Sequence, residues 1–526
     1  MRLKNLSIIA QRSNPQRSAR TPGSAWPASG QDAARLAAIA LVVGSLAAGY
    51  YWAAGLTLSH YDARAHLVVA RRIFDSLTPG WQQVGAVWLP LPHLLNALPV
   101  QIDALYRTGA SATAISVTSL ALAIWALARV ALAATGSRAA AFVCTGALLV
   151  NPDVLYLSAT PMTEPLLIGL SALSLWLASR ALSAPAEPLP RHLAGATMAS
   201  ACLVRYEAWP MTGALLGLSL IAHLRSGTPC RQALRHVMTA AAYPLAAVLL
   251  FMILGRATVG EWFVSSGFYV PETLTRGRAI RSLVAVWWGA HHLTGYPVAI
   301  LGSAGLLAAT IVGARRRSGR GGVLLLTGAL VAAAALPWYA FYAGHPFRFR
   351  YMVALVPALA LGLGILVGLS GRRQTIVAPL VFGTVLFGPL PFVGDSPVLV
   401  ESRLDERHRA GRGAITAYLD RHWDGEPVLA SMGALAHYMQ DLAGIGFNIR
   451  DFVHEGNGAI WETALRAPAQ HVRWVLVEEE AEGGDVLAIK ARSDASYLKG
   501  FERVAEGGRV ALYRRAAPAR PPGPNP

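Results

Sequence analysis

Asp62 stands in the run Tyr61-Asp62-Ala63-Arg64-Ala65-His66, directly after the first long apolar stretch of the chain. A carboxylate so placed, with Arg64 and His66 near it in sequence, can be ionised, positioned and open to a substrate arriving along a membrane surface. That is the chemistry of a general base. The plainer reading of the same residues is an interfacial acid paired with a nearby Arg as a loop staple. A second carboxylate group lies in Asn151-Pro152-Asp153 and Thr160-Pro161-Met162-Thr163-Glu164-Pro165. Thr160 followed by Pro161 is a helix-start signature, so Glu164 falls in a first turn. The helix dipole favours an acid there even without a chemical duty.

Guanidinium groups gather in Arg205-Tyr206-Glu207 and in His345-Pro346-Phe347-Arg348-Phe349-Arg350-Tyr351. Arginines beside aromatics at the mouth of an apolar span suit a phosphate, which the planar fork holds through two parallel hydrogen bonds. Arg348 and Arg350 are the first phosphate ligands on this reading and Arg205 the next, with Arg64 and Tyr351 grouped beside them. Lipid headgroup contact, or neutralisation of Glu207 by Arg205 within a turn, is the alternative. His66, His93 and Glu207 are assigned to the acceptor or its loop. None of His60, His66, His93, His291, His292 and His345 forms a helix-spaced ligand pair, so no metal is assigned and no cofactor is expected to be required, a divalent ion being the open alternative.

These residues need a membrane to position them. The chain has 526 residues, a mean hydropathy of +0.41 and only 14% charged residues. Apolar runs near 36–56, 112–133, 139–151, 163–181, 192–204, 207–223, 237–255, 284–313, 322–341, 351–370 and 375–393 predict a polytopic α-helical membrane protein with about eleven transmembrane helices. The net charge of +17 resides in short loops between these runs, where it sets orientation and meets membrane lipid, so nucleic acid is not an expected partner. With residues 1–35 as a cytoplasmic tail, Arg138, Arg191, Arg315–Arg317 and Arg372-Arg373 also fall inside. Asp62, Asp153, Glu164 and Glu207 then share the outer side. Acids near a bilayer are costly unless they face water, a partner charge or a substrate. An odd number of spans places the C-terminus outside as well.

The first outer loop, 57–111, is long and contains Trp88-Leu89-Pro90-Leu91-Pro92-His93, whose prolines forbid an uninterrupted helix. From position 395 the composition changes. Nineteen of the 29 acidic residues lie there, and no run is long enough to span. Strand patterns at 427–430 and 472–477 alternate with helix patterns at 433–443, 459–467 and 484–492, and Gly507-Gly508 joins 501–505 to 509–513 as a hairpin. This predicts a small α/β soluble domain over 394–515 following the 36–393 transmembrane domain, with a disordered Pro-rich tail at 516–526.

An acid just past the first span, a long first outer loop, Pro-Met-Thr-Glu-Pro leading into the fourth span, Arg-Tyr-Glu-Ala-Trp at 205–209 and Arg-Phe-Arg-Tyr opening the tenth together resemble the GT-C superfamily of integral membrane glycosyltransferases. Within it, the likeness is to the protein-mannosyltransferase and aminoarabinose-transferase branch. The resemblance implies a polyprenyl-phosphate-linked sugar as donor and an envelope glycan, lipid or protein as acceptor. It also implies a first-loop acid acting on the acceptor hydroxyl with inversion, basic residues on the lipid phosphate, and residence in the plasma (inner) membrane. Members of that branch often carry adjacent acids in the first loop, whereas Asp62 is followed by Ala63, so the assisting carboxylate stays open between Asp153 and Glu164. The rival function is a lipid or glycan transporter or flippase. Against it, the spans lack the ionisable side chains of an ion relay, and no inverted halves are visible.

Overall fold

The computed structural model describes residues 27–85, 87–262, 270–317 and 319–516. The expected disordered tail, from 517 onward, and most of the expected cytoplasmic tail lie outside these. Among the described residues, seven helices are long and apolar enough to cross a bilayer: Gly30–Ala53, Ala110–Thr135, Glu164–Ser183, Cys230–Val259, Tyr296–Arg315, Gly319–Ala343 and Phe349–Leu369. An eighth results if Arg138–Leu149 and Pro152–Ser158 count as one span bent by 67°.

The difference from eleven has local causes. Asn151 ends the first half of the bent pair and caps the second, accepting from the Val154 amide at 3.0 Å, while Pro152 starts the new helix without needing a donor. The run 284–313 is two helices, Ala279–Thr294 and Tyr296–Arg315, because Gly295 takes a left-handed φ of +82° against the backbone of Gly388 and Pro297 begins the next turn. Leu189–Cys202 has only 14 residues, about 21 Å of helix against about 30 Å of hydrocarbon. Where Tyr296–Arg315 meets Val356–Leu369, Gly302, Gly305 and Gly362 face each other so closely that a Cβ on any of them would strike the opposing backbone.

Among the described residues the C-terminal region carries five strands, β1 Val428–Ala430, β2 Phe452–Val453, β3 Trp474–Glu478, β4 Phe501–Gly507 and β5 Val510–Arg515, in the order β2-β1-β3-β5-β4. β1 runs parallel to β2 and β3, whereas β5 is antiparallel to β3 and β4. This region does not stand apart from the bundle, as its composition suggested. Ala65, Leu67, Val68 and Ala70 of the first-loop helix Tyr61–Arg71, with Val100 and Tyr106, share one apolar core with Leu435, Tyr438, Met439, Leu442 and Trp474. Ten of that helix's eleven residues are buried. The Pro-rich stretch after it is broken into short turns, Leu91–Asn96, Pro99–Gln101 and Asp103–Thr108.

Candidate active site

Four segments far apart in sequence converge on one line of alternating charge. Asp62 enters from the first turn of the first-loop helix, which His60 caps by accepting from the Asp62 amide at 3.1 Å. Glu164 sits in the first turn of its span, Arg205 and Glu207 in the turn before Ala208–Arg225, and Arg350 in the tight turn Phe349–Leu355 that opens the last long span. Arg350 forms an ion pair with Asp62 and reaches Glu164 Oε1 at 3.4 Å. Arg205 reaches the same Glu164 oxygen at 3.0 Å and Glu207 at 2.7 Å, and donates to Thr163 Oγ1 at 3.1 Å. Three buried carboxylates and two half-buried guanidinium groups thus form a chain, Asp62–Arg350–Glu164–Arg205–Glu207.

Burial on its own would raise the Asp62 carboxyl, but the Arg350 guanidinium, then His60, His66 and Arg205, outweigh it and hold the group below the usual carboxylate range. Burial works against the charge on Arg205 too, and Glu164 and Glu207 more than compensate for it. Both groups therefore stay ionised. The Arg350 guanidinium carbon lies 5.1 Å from the centre of the Tyr351 ring, within cation–π range. Arg348 is exposed at the rim and bears electrostatically on Glu401.

Three sequence assignments change. Asp153 is fully buried and outside this chain of charge; its Oδ1 accepts from the Val398 amide at 2.8 Å and so holds the start of the helix Pro397–Ala410. Arg64 lies outside that chain of charge as well. It pairs with Asp441, donates to Gln440 Oε1 at 2.6 Å and to the Leu58 carbonyl at 2.6 Å, and so ties the first-loop helix to the C-terminal region. Two helical positions are about 200° apart, which puts Asp62 and Arg64 on opposite faces. His66, four positions from Asp62, shares its face, but its Nδ1 lies 3.1 Å from His93 Nε2 and its ring packs on Trp88, so the two histidines occupy each other. Beside them, a cavity of 20 Å³ lined by His66, Asn96, Ser116 and Thr163 has room for about one water.

Two acids went unmarked in the sequence. Glu401 Oε1 accepts from the Phe349 amide at 2.9 Å, and Asp405 Oδ2 from the Tyr61 amide at 2.9 Å. Among the described residues, no three His, Cys, Asp or Glu side chains come together as a metal site.

No family model matches this sequence, and neither does any curated protein. Solved structures do match. ArnT from Cupriavidus metallidurans bound to undecaprenyl phosphate superposes with a TM-score of 0.57 at 15% identity, over 92% of this chain and 97% of ArnT. Its apo form gives 0.56 at 14% identity, over 91% and 96%. The oligosaccharyltransferase of Archaeoglobus fulgidus in complex with Zn and sulfate gives 0.47 at 11% identity, over 88% and 70%. The chain has the GT-C fold. Near-complete coverage of both chains means that the GT-C likeness extends over bundle, first loop and C-terminal sheet together rather than over the apolar helices alone.

The histidine pair makes an independent prediction. Burial, then Arg72, pushes His93 down to about 3, and burial and His93 push His66 well below its usual value, so both are neutral in the folded protein. The unfolded chain binds more protons below about pH 6.5, so stability falls with acid. At pH 5 His93 alone accounts for about 2 kcal/mol. Melting in detergent should drop between about pH 6.5 and 5, and His93→Gln should flatten that drop; an unchanged acid slope would contradict the neutral pair.

Proposed function

We propose that this chain is a membrane glycosyltransferase that moves a sugar from a polyprenyl-phosphate donor to an extracytoplasmic acceptor hydroxyl with inversion. The observation that carries the reading is the Asp62–Arg350 pair, a first-loop acid meeting a span-mouth arginine, set in a fold shared with ArnT. In the resting site the two neutralise each other. A donor phosphate that takes the guanidinium groups of Arg350 and Arg205 frees Asp62 from its counter-ion, and its proton affinity rises as that charge is shared. The acceptor oxygen then attacks the anomeric carbon and gives its proton to Asp62. The bond from that carbon to the phosphate oxygen breaks on the opposite face, and the electron pair leaves with the lipid phosphate. Glu164, which touches both arginines, is the assisting carboxylate.

The same reading places residues 1–35 in the cytoplasm and 394–515 outside the plasma (inner) membrane. The shorter helices Leu189–Cys202, Ala208–Arg225 and Gln374–Gly383, with the bent pair Arg138–Leu149 and Pro152–Ser158 as one crossing, then bring the seven long ones to eleven. The acceptor is an envelope glycan, lipid or protein, and neither a metal nor another cofactor is assigned a role. Reconstituted protein given a labelled polyprenyl-phosphate sugar and membrane extract should release polyprenyl phosphate and label an acceptor without any transmembrane gradient. Movement of intact lipid-linked sugar across the bilayer with no release would establish the transporter instead.

A further inference from the structure

The Asp62–Arg350 pair is gripped from outside by a single helix. Pro397–Ala410 carries Glu401 and Asp405, four positions apart and therefore on one face, about 5–6 Å from each other. Asp405 accepts from the amide of Tyr61, the residue before Asp62, and Glu401 from the amide of Phe349, the residue before Arg350, each at 2.9 Å. One helical turn thus sets the spacing of the two backbone segments whose next side chains meet.

The helix is itself fixed at both ends. Val398 and Leu399 are buried in the bundle core, and the Val398 amide is held by Asp153. Farther along, Arg409 reaches Asp441 at 3.1 Å, the carboxylate that also holds Arg64. Asp405 Oδ2 also lies 4.0 Å from the Nδ1 of His60, the residue that caps the Asp62 helix. On the other side Glu401 Oε2 is buried and, among the described residues, has no hydrogen-bond partner.

We infer that Glu401 and Asp405 are positioning residues, Asp405 for the carboxylate of Asp62 and Glu401 for the guanidinium of Arg350. The inference rests on the transferase reading for its kinetic consequences, and on geometry alone for its structural ones. Each residue acts through a different partner, so their losses separate. Asp405→Ala lowers kcat about tenfold with donor KM unchanged, because Asp62 acts on the acceptor proton during reaction. Glu401→Ala raises donor KM about tenfold, because Arg350 binds the donor phosphate. Asp405→Asn and Glu401→Gln keep an acceptor oxygen for the amide and restore values to within about threefold of wild type.

The test pairs these kinetics with amide hydrogen exchange in full-length protein in nanodiscs. In each Ala variant, exchange at the Tyr61 or Phe349 amide should accelerate, while the strands Val428–Ala430 and Trp474–Glu478 keep their protection. Unchanged exchange at both amides overturns the inference, as does an equal loss of kcat and donor KM in both Ala variants. General loss of protection in the C-terminal strands reduces the helix to a domain clamp and overturns it too. If wild-type protein transfers no sugar while the exchange pattern appears, the transferase reading falls and the positioning geometry stands.

Discussion

Asp62→Asn is expected to lower sugar transfer by about 10²–10⁴-fold, the contribution of a positioned general base, while the protein still folds and inserts. Asn matches Asp in shape and lacks only the charge, so the first-loop helix keeps its His60 cap and its apolar contacts with the C-terminal region. The ion pair with Arg350 is lost. That guanidinium is not stranded, because Glu164 Oε1 stays 3.4 Å away, and this keeps the cost below the roughly 3–5 kcal/mol of a buried charge left alone. Turnover of a labelled polyprenyl-phosphate sugar and a melting curve on the same preparation check both halves. Activity above about a tenth of wild type would remove Asp62 as the base, since no positioned base contributes so little. Asp153→Asn should behave in the opposite way. It reduces stability, but its side-chain oxygen still accepts from the Val398 amide, so the helix Pro397–Ala410 keeps its place and sugar transfer falls far less than in Asp62→Asn.

The fold and the site were legible to different depths, for physical reasons. Apolar run length located the long helices, because bilayer thickness fixes how many residues a crossing needs. It failed where backbone chemistry intervenes, as at Gly295, which breaks a run of uniform hydropathy. The hairpin around Gly507-Gly508 was readable from turn chemistry, whereas the two-residue strand Phe452–Val453 has too little sequence to show a period. Asp62, Glu164, Arg205, Glu207 and Arg350 could be picked out because charge beside an apolar span demands a reason. Which of them touch could not be read, since their contacts cross four segments. Helical spacing sets Arg64 on the face opposite Asp62, and there the structure pairs it with Asp441. Glu401 and Asp405 lie among nineteen acids of a polar region, where charge is ordinary and carries no signal.

Arg350→Ala is expected to raise donor KM about 10–100-fold, the value of charge-assisted contacts to a desolvated phosphate, with little change in acceptor KM. The same change exposes what Arg350 does to Asp62. With the guanidinium gone, burial acts on the carboxyl largely unopposed and raises it, where in the wild type the net displacement is downward. The sign follows. In the wild type the depressed group contributes stability that is present above its unfolded value, about 3.9, and is lost only as the pH falls through the lower folded value. In the variant Asp62 takes up a proton at higher pH, so the acid limb of kcat/KM moves upward and residual activity recovers as the medium is made more alkaline. Added guanidinium ion should restore both donor use and the acid limb, because it supplies the missing planar cation. Arg350→Lys should restore less, since an ammonium cannot bridge Asp62 and Glu164 with one rigid fork. Arg205→Ala provides the contrast. It leaves Glu207 buried without its partner while Asp62 keeps Arg350, so stability falls and the acid limb moves up less than in Arg350→Ala, Arg205 being a smaller contributor than Arg350 to the charge that holds Asp62 down. A loss of donor and acceptor use in equal measure on Arg350→Ala, with no movement of the acid limb, would show the arginine to be a strut between helices and would leave the phosphate without a ligand.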